Sequence, residues 1–462
     1  VTPKKAIPSS FRDPSGYVFL DNGVIKRVIK PIYFEQYKSL RDSGFYKRLF
    51  NNNILIPHEE LSSTSSDIII QPEQIPFITY PYEWCFNQYK EAALLTLKLQ
   101  KFSLDQGYSL KDASAFNITF HQGSSIFIDT LSFDFYKENY PWRAYKQFIS
   151  HFLAPLLLAH YHGSQSLKLM REFIDGIPLR MLSSMLPFKS KLNPIIYTNV
   201  HLLAKFEGKH SENYKGEAKV KSLSKGGQLK IIESLYGFVK KLKLKEYTEW
   251  GNYYDKTNYS DTSFGLKAEV INTWVSKLNP QNIIDIGGND GTFVRAIASK
   301  VKQALVCDID NNAVDFNHLK VKKHKENYML PFVLDVLNPS ASIGFNNKER
   351  ASFLQRIKDF NLDVTLALAL IHHMTLSGNV TFHMSARFFA SFSKILILEF
   401  PKKNDSWVER LLNSKAEFKN HFDFYSLENF EKAYSEFFET VEKKEIEGSE
   451  RVMFLLKRIK DV

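Results

Sequence analysis

Asn282-Ile283-Ile284-Asp285-Ile286-Gly287-Gly288-Asn289-Asp290-Gly291-Thr292-Phe293 decides the fold of this chain. An apolar run ends in Asp285, a glycine-rich turn follows, and Phe293-Val294-Arg295-Ala296-Ile297-Ala298 then takes a helical pattern. The order is strand, tight loop, helix, and glycine lets such a loop bring its backbone against a bound nucleotide. A second strand, Ala304-Leu305-Val306-Cys307, ends in Asp308, 21 residues after Gly287. That is the spacing at which a ribose-binding carboxylate follows such a loop.

The same residues discriminate between cofactors. The dinucleotide spacing Gly-x-Gly-x-x-Gly is absent, and the loop carries two carboxylates, Asp285 and Asp290. A pyrophosphate needs bare backbone donors at a helix N-terminus and is repelled by neighbouring carboxylates. S-adenosylmethionine has no phosphate and carries a sulfonium and an ammonium, which suits an acidic loop. The bland reading is a buried turn with no ligand, and the second acidic strand end at Asp308 weighs against it.

On these residues the region 265–460 resembles a class I S-adenosylmethionine-dependent methyltransferase, a Rossmann-like α/β fold with a seven-stranded sheet. The resemblance implies Asp285, Gly287 and Gly291 beside the methionine part, with Gly288 and Asn289 in the same cofactor-binding loop. It also implies Asp308 on the ribose and an acidic residue after the third strand beside the adenine. That strand is Pro331-Phe332-Val333-Leu334, and Asp335 ends it. The next strand, residues 363–370, runs into Ile371-His372-His373 at what the resemblance makes the mouth of the site. A neutral imidazole suits proton removal near pH 7, so His372 and His373 are the candidate catalytic residues. Adjacent residues at a strand end point in opposite directions, and His372 is expected to face the cofactor. Two short strand candidates, the charged and weakly patterned residues 441–446 and the nearly all-apolar residues 451–456, fit a terminal antiparallel hairpin.

The chain has 462 residues, enough for two or three domains. Its two cysteines, Cys85 and Cys307, form neither a disulfide framework nor a metal-ligand spacing, and a reducing cytoplasm is the natural reading. The histidines at 151, 160 and 162 have no acidic or cysteine partner at ligand spacing and read as ordinary helix histidines, so no metal is expected. The formal net charge is +11. That admits nucleic acid or a membrane surface as partner. The lysines are scattered, however, with modest clusters at residues 219–225 and 240–245, which favours a solvated basic face over a nucleic-acid patch. No apolar run is long enough to span a bilayer. Oligomeric state has no signal in the sequence.

The N-terminal half reads as α+β. Residues 17–20 and 24–29 flank Asn22-Gly23 and predict a hairpin. A helix is expected over 33–49, strands at 53–56 and 67–70, and a long helix over 83–106. Then Asp112, four residues, Asn117, and a hairpin whose second strand ends in Asp129 resemble a protein-kinase-like constellation. In that chemistry the first Asp orients a hydroxyl while the Asn and the last Asp hold Mg²⁺. This sequence departs from the pattern. No glycine-rich phosphate loop precedes Val24, Leu110-Lys111 stand before Asp112, and Thr130-Leu131 follow Asp129. A kinase-shaped scaffold without phosphotransfer is therefore the stronger expectation.

Three parts are expected: a kinase-like domain over 15–160, a helical connector over 161–249, and the methyltransferase domain over 250–462. The aromatic, polar segment 250–259 reads as either a lid over the cofactor or a linker. Tyr80-Pro81-Tyr82-Glu83-Trp84, Leu110-Lys111-Asp112-Ala113-Ser114, Phe127-Ile128-Asp129-Thr130-Leu131-Ser132-Phe133 and Leu370-Ile371-His372-His373 together resemble a bacterial family of two-part methyltransferases related to some nodulation-associated proteins. The implied activity is methyl transfer to an O or N acceptor on a small molecule, glycan or lipid-linked group. A phosphotransferase fused to a methyltransferase, or an N-terminal module that only recruits substrate, are the alternatives.

Overall fold

The structure is a computed structural model that describes residues 6–206, 222–245 and 261–460. The chain divides into two compact units, Val1–Glu246 with Ser342–Ala351, and Tyr247–Ala341 with Ser352–Val462. The expected connector over 161–249 is thus not a body of its own: through Glu246 it belongs to the first unit. The segment 250–259 lies outside the described residues.

In the first unit, β1 (Gly16–Asp21) and β2 (Val24–Ile29) form the expected hairpin. Its turn residues Asn22 and Gly23 both have positive φ, 50° and 81°, as a two-residue hairpin turn matched to strand twist requires. The helix expected over 33–49 is two helices, Phe34–Asp42 and Phe45–Asn51. They break at Gly44, whose φ of 72° no continuous helix allows. Residues 53–56 do not form a strand; Leu55 makes one isolated bridge to Phe127. The pairing falls instead to β3 (His58–Ser63) and β4 (Ile68–Pro72), which complete a sheet of order β1-β2-β4-β3. The long helix Phe86–Asp105 follows, and it buries Tyr89, Ala92, Ala93, Thr96, Leu97 and Gln100, a stripe at helical spacing. Then come β5 (Tyr108–Leu110), β6 (Ile118–His121), β7 (Ser124–Phe127) and β8 (Phe133–Phe135), with β5 paired to β8 and β6 to β7. The rest of the unit is helical.

The second unit is built on one mixed sheet. Its strands are β9 (Asn282–Ile286), β10 (Gln303–Asp308), β11 (Met329–Val333), β12 (Val364–Ala367), β13 (Ile395–Pro401), β14 (Phe438–Glu445) and β15 (Arg451–Arg458). Their spatial order is β11-β10-β9-β12-β13-β15-β14. The first five are mutually parallel and β15 enters antiparallel between β13 and β14. Numbered within the sheet this is 3-2-1-4-5-7-6, the seven-stranded order with a terminal reversed hairpin that the sequence led us to expect. The parallel strands are almost wholly buried, as strands covered on both faces are. The helix Asp261–Leu278 covers one face with Val270, Ile271, Trp274 and Val275. The Asp363 carboxylate accepts the Gln281 and Asn282 amides at 2.8 and 2.9 Å, which sets the starts of β9 and β12 side by side. From β9 the chain winds one way to β10 and β11 and then returns to the other side at β12. Such a sheet opens a crevice at the carboxyl ends of the two central strands.

Candidate active site

The loop after β9 spends its own amides before any ligand could use them. Gly287 and Gly288 donate to the Cys307 carbonyl at 2.8 and 3.1 Å, Asn289 donates to Asp308 Oδ2 at 3.0 Å, and Gly291 donates to the Gly288 carbonyl at 2.9 Å. A pyrophosphate would find none of these N–H groups open. Gly288 is required by close approach: a Cβ there would lie 2.8 Å from the Asp285 carboxylate and from Val306. Gly291 has φ 77° and caps the next helix against Asn317.

Asp285 is 1% exposed and neither carboxylate oxygen has a hydrogen-bond partner. Burial pushes its pKa up to about 7, with Lys267 opposing and Asp308 and Asp290 reinforcing the shift. Asp308 is half-buried, and burial raises it to about 6, while the Asp310 and Asn289 amides it accepts at 2.9 and 3.0 Å pull the other way. Asp285 and Asp308 line a cavity of about 310 Å³ at the switch point, together with Gly287, Gly288, Asn289 and Asp335. Much of the remaining wall is apolar, with Leu334, Leu337, Leu370 and Met374 among its residues. Gly291 and Asp290 are not on that wall. Asp290 turns to the neighbouring helix instead, where it accepts Thr292 and pairs with Lys320 at 2.6 Å. The loop's acidity therefore comes from Asp285 alone, with Asp308 beside it. The third strand ends at Val333, two residues before Asp335, which accepts the Leu337 amide at 3.0 Å.

The histidine pair departs from the strand-end expectation. β12 stops at Ala367, and Ala369 takes a positive φ of 50°, which breaks the extended chain. His372 and His373 then enter a helical turn in which the Gly378 amide reaches the His373 carbonyl at 3.0 Å. Consecutive residues on a helical turn are about 100° apart rather than opposed. As a result His373 lines the cavity and His372 does not. His372 is 2% exposed, its Nδ1 has no partner, and its ring centroid lies 4.2 Å from that of His373. Burial holds both imidazoles below the ordinary histidine value, aided at His372 by His373, Arg451 and Lys267 and at His373 by Arg451. Both are neutral at pH 7.

Sequence reasoning missed what surrounds them. Lys267, from the helix before β9, also lines the cavity and pairs with Glu399 at 2.7 Å, both side chains at most 2% exposed. Glu399 in turn meets Arg451 at 3.4 Å, and Arg451 meets Asp405 at 2.8 Å. The signal was a lone glutamate in the apolar strand Ile395-Leu396-Ile397-Leu398-Glu399-Phe400, since a charge buried in a central strand needs a partner.

In the first unit, Asp112, Asn117 and Asp129 fall in one polar cluster. Asn117 hydrogen-bonds Asp112 and donates to Ser132 Oγ at 3.3 Å, and Ser132 donates to Asp129. Arg27, from β2, forms an ion pair with Asp129. Among the described residues no group of three or more His, Cys, Asp or Glu side chains is placed to hold a metal ion.

Against known proteins, the chain is 30% identical over 466 residues to the nodulation protein NoeA of Rhizobium meliloti (strain 1021), covering 98% of this chain and 96% of that one. The chain belongs to the NoeA family. No family model matches it. Among solved structures it is similar to WbdD, with 13% identity, 43% of this chain, 40% of that chain and a TM-score of 0.32. It is also similar to the N-methyltransferase NodS from Bradyrhizobium japonicum WM9, with 12% identity, 42% of this chain, 98% of that one and a TM-score of 0.28. Strand order and the acidic cavity at the switch point agree with the fold that the sequence of residues 265–460 led us to expect.

Proposed function

We propose that the second unit transfers a methyl group to an O or N acceptor on a small molecule, glycan or lipid-linked group, with His373 as the base. The observation that carries this reading is a neutral imidazole on the wall of a cavity that also holds the unpartnered carboxylate of Asp285. S-adenosylmethionine, once bound, supplies an electrophilic methyl group. Asp285 would take the ammonium, whose charge answers a carboxylate with no hydrogen bonds. Asp308 would accept the ribose hydroxyls with the lone pairs its amide partners leave. Asp335 and the apolar side chains of Leu334 and Leu337 would flank the adenine, while Gly287, Gly288 and Asn289 shape the floor and Gly291 sets the helix that follows.

His373 would take the proton from the acceptor O–H or N–H. Burial and the Arg451 charge suppress its protonation, so it is ready to act as a base at and below neutral pH. His372, buried behind the wall, would orient its neighbour rather than meet substrate. The test is turnover with isotopically labelled cofactor, first on an extract to find the product and then on single variants. His373→Ala should lower turnover by roughly 10²- to 10⁴-fold with cofactor affinity nearly unchanged. Near-normal turnover in His373→Ala beside a large loss in His372→Ala would reverse the assignment.

A second reading concerns the first unit. Convergence of Asp112, Asn117 and Asp129 supports a kinase-like scaffold over roughly 15–160. Arg27 on Asp129 supports a scaffold without phosphotransfer, since a guanidinium already neutralises the carboxylate that would hold a metal ion. We read this unit as a module that recruits substrate. ATP turnover abolished by Asp129→Ala would instead make it a phosphotransferase.

A further inference from the structure

The first unit carries a protruding apolar tip set in a field of lysines. Leu192 and Phe188 are 77% and 75% exposed, more than any other large hydrophobic side chain described. Both stand on one short helical turn, Phe188–Leu192, between Pro187 and Asn193-Pro194. Ser190, inside the turn, is wholly buried and hydrogen-bonds His201 Nε2 at 2.8 Å, while His201 Nδ1 meets Ser183 Oγ at 2.7 Å. One imidazole therefore pins the turn from behind and leaves Phe188, Leu192, Lys189 and Lys191 facing out. An exposed apolar pair held this firmly outward calls for a partner.

The charge along the stretch that carries the tip has one sign. From Ile177 to Phe206 there is no Asp or Glu, while Arg180, Lys189, Lys191 and Lys205 all fall in this stretch. Their proximity is recorded at His201, which burial, Lys191 and Lys205 together hold below the ordinary histidine value. Lys189 and Lys245 come together on a cavity of about 220 Å³ with His160 and Tyr161. Lys191 lies 5.3 Å over the Phe188 ring and Lys189 lies 5.7 Å over the Tyr161 ring. Each ammonium thus lies over an aromatic face, which holds positive charge directly beside apolar surface.

We propose that this face docks on an anionic bilayer surface, with Phe188 and Leu192 entering the acyl boundary and the lysines among the headgroups. Apolar anchors ringed by lysine bind membranes by burying apolar area and by attraction to acidic lipids. Nucleic acid fits less well, because Leu192 offers no face on which a base could stack. A protein partner would need an acidic groove to receive a convex basic tip. Nothing here requires a spanning segment, and no described helix is long and apolar enough to cross a membrane. The enzyme would in this way meet its acceptor at a lipid surface.

The test is flotation of the full chain with phosphatidylcholine vesicles, with and without phosphatidylglycerol. The chain should float only with the acidic vesicles, and molar salt should weaken it. The Phe188→Ser/Leu192→Ser double variant should lose binding on the order of 10- to 100-fold. Lys189→Gln and Lys191→Gln should each lose about fivefold. These side chains are exposed, so melting should be unchanged, and Ile32→Ser, at an equally exposed site 70% open to solvent, should float like the parent. Failure of the parent chain to float, or equal flotation of the double variant, overturns the proposal. So does a chain that dimerises without lipid and becomes monomeric in the double variant.

Discussion

Asp285 holds the contradiction on which the site turns. Its carboxylate is buried, has no hydrogen bond and is raised to about pH 7, all of which destabilise the ligand-free fold. A raised carboxylate contributes stability that is fully present below its unfolded value and lost as pH rises through the folded one. The penalty therefore grows from about pH 4 to pH 7 and is constant above that. Asp285→Asn should raise the stability of the ligand-free chain by on the order of 1–3 kcal/mol at pH 8, with a smaller gain at pH 5. The same change should weaken S-adenosylmethionine binding, because the amide brings no charge to its ammonium. In the parent chain that affinity should fall about tenfold per unit as pH drops below 7, since the bound cation needs the ionised form. Melting curves and calorimetry at both pH values check this. Higher cofactor affinity in the Asn variant would mean that Asp285 faces no ligand cation. The residue type was readable from the sequence, as was Asp308. The isolation of Asp285 was not, because it depends on Asp290 turning away to Lys320, and a side chain's direction out of a loop has no periodic signature.

At the scale of elements, the strands of the second unit were legible because buried parallel strands are continuous apolar runs. β9, β10 and β13 fall within a residue or two of their expected ends. β12 does not. Its apolar run continues through Leu368, Leu370 and Ile371, but hydrophobicity cannot distinguish a buried strand from the buried loop and turn that succeed it. That difference is why His373, and not the expected His372, lines the cavity. The charged chain Lys267–Glu399–Arg451–Asp405 ties the helix before β9 to β13, to β15 and to the start of the helix Ser406–Asn413. Its members are no more than 5% exposed, so removing one leaves the others charged and buried. Arg451→Leu should cost about 3–5 kcal/mol, read as a fall in the denaturant midpoint. Adding Asp405→Asn should recover part of that by removing the stranded carboxylate. If the double variant is no more stable than Arg451→Leu, the two residues are not coupled in this way.

For the whole molecule the question is what the first unit contributes, and Arg27 bears on it directly. The Asp112–Asn117 spacing and Asp129 were readable along the chain, and the structure gathers them into one cluster. Their partner was not readable, because Arg27 reaches Asp129 from β2, 102 residues earlier. Burial would raise Asp129, but Arg27 and Ser132 outweigh it and hold the carboxylate below its ordinary value. A depressed carboxylate contributes stability that is present above its unfolded value and lost as pH falls through the folded one. Arg27→Met should therefore cost about 3–5 kcal/mol near neutral pH, because it strands a largely buried anion. The penalty should shrink as pH falls below about 4, where Asp129 can take a proton. Combining it with Asp129→Leu should restore most of the stability at neutral pH, since the pair is removed whole. Urea midpoints at neutral and acid pH for the single and double variants measure all three outcomes. If Asp129 serves instead as a metal carboxylate, Arg27→Met should free it, and Mg²⁺ with ATP should then raise the variant's midpoint above that of the variant alone. Equal midpoints with and without Mg²⁺ and ATP would leave Arg27 as the cluster's permanent counter-ion and methyl transfer as the chain's chemistry.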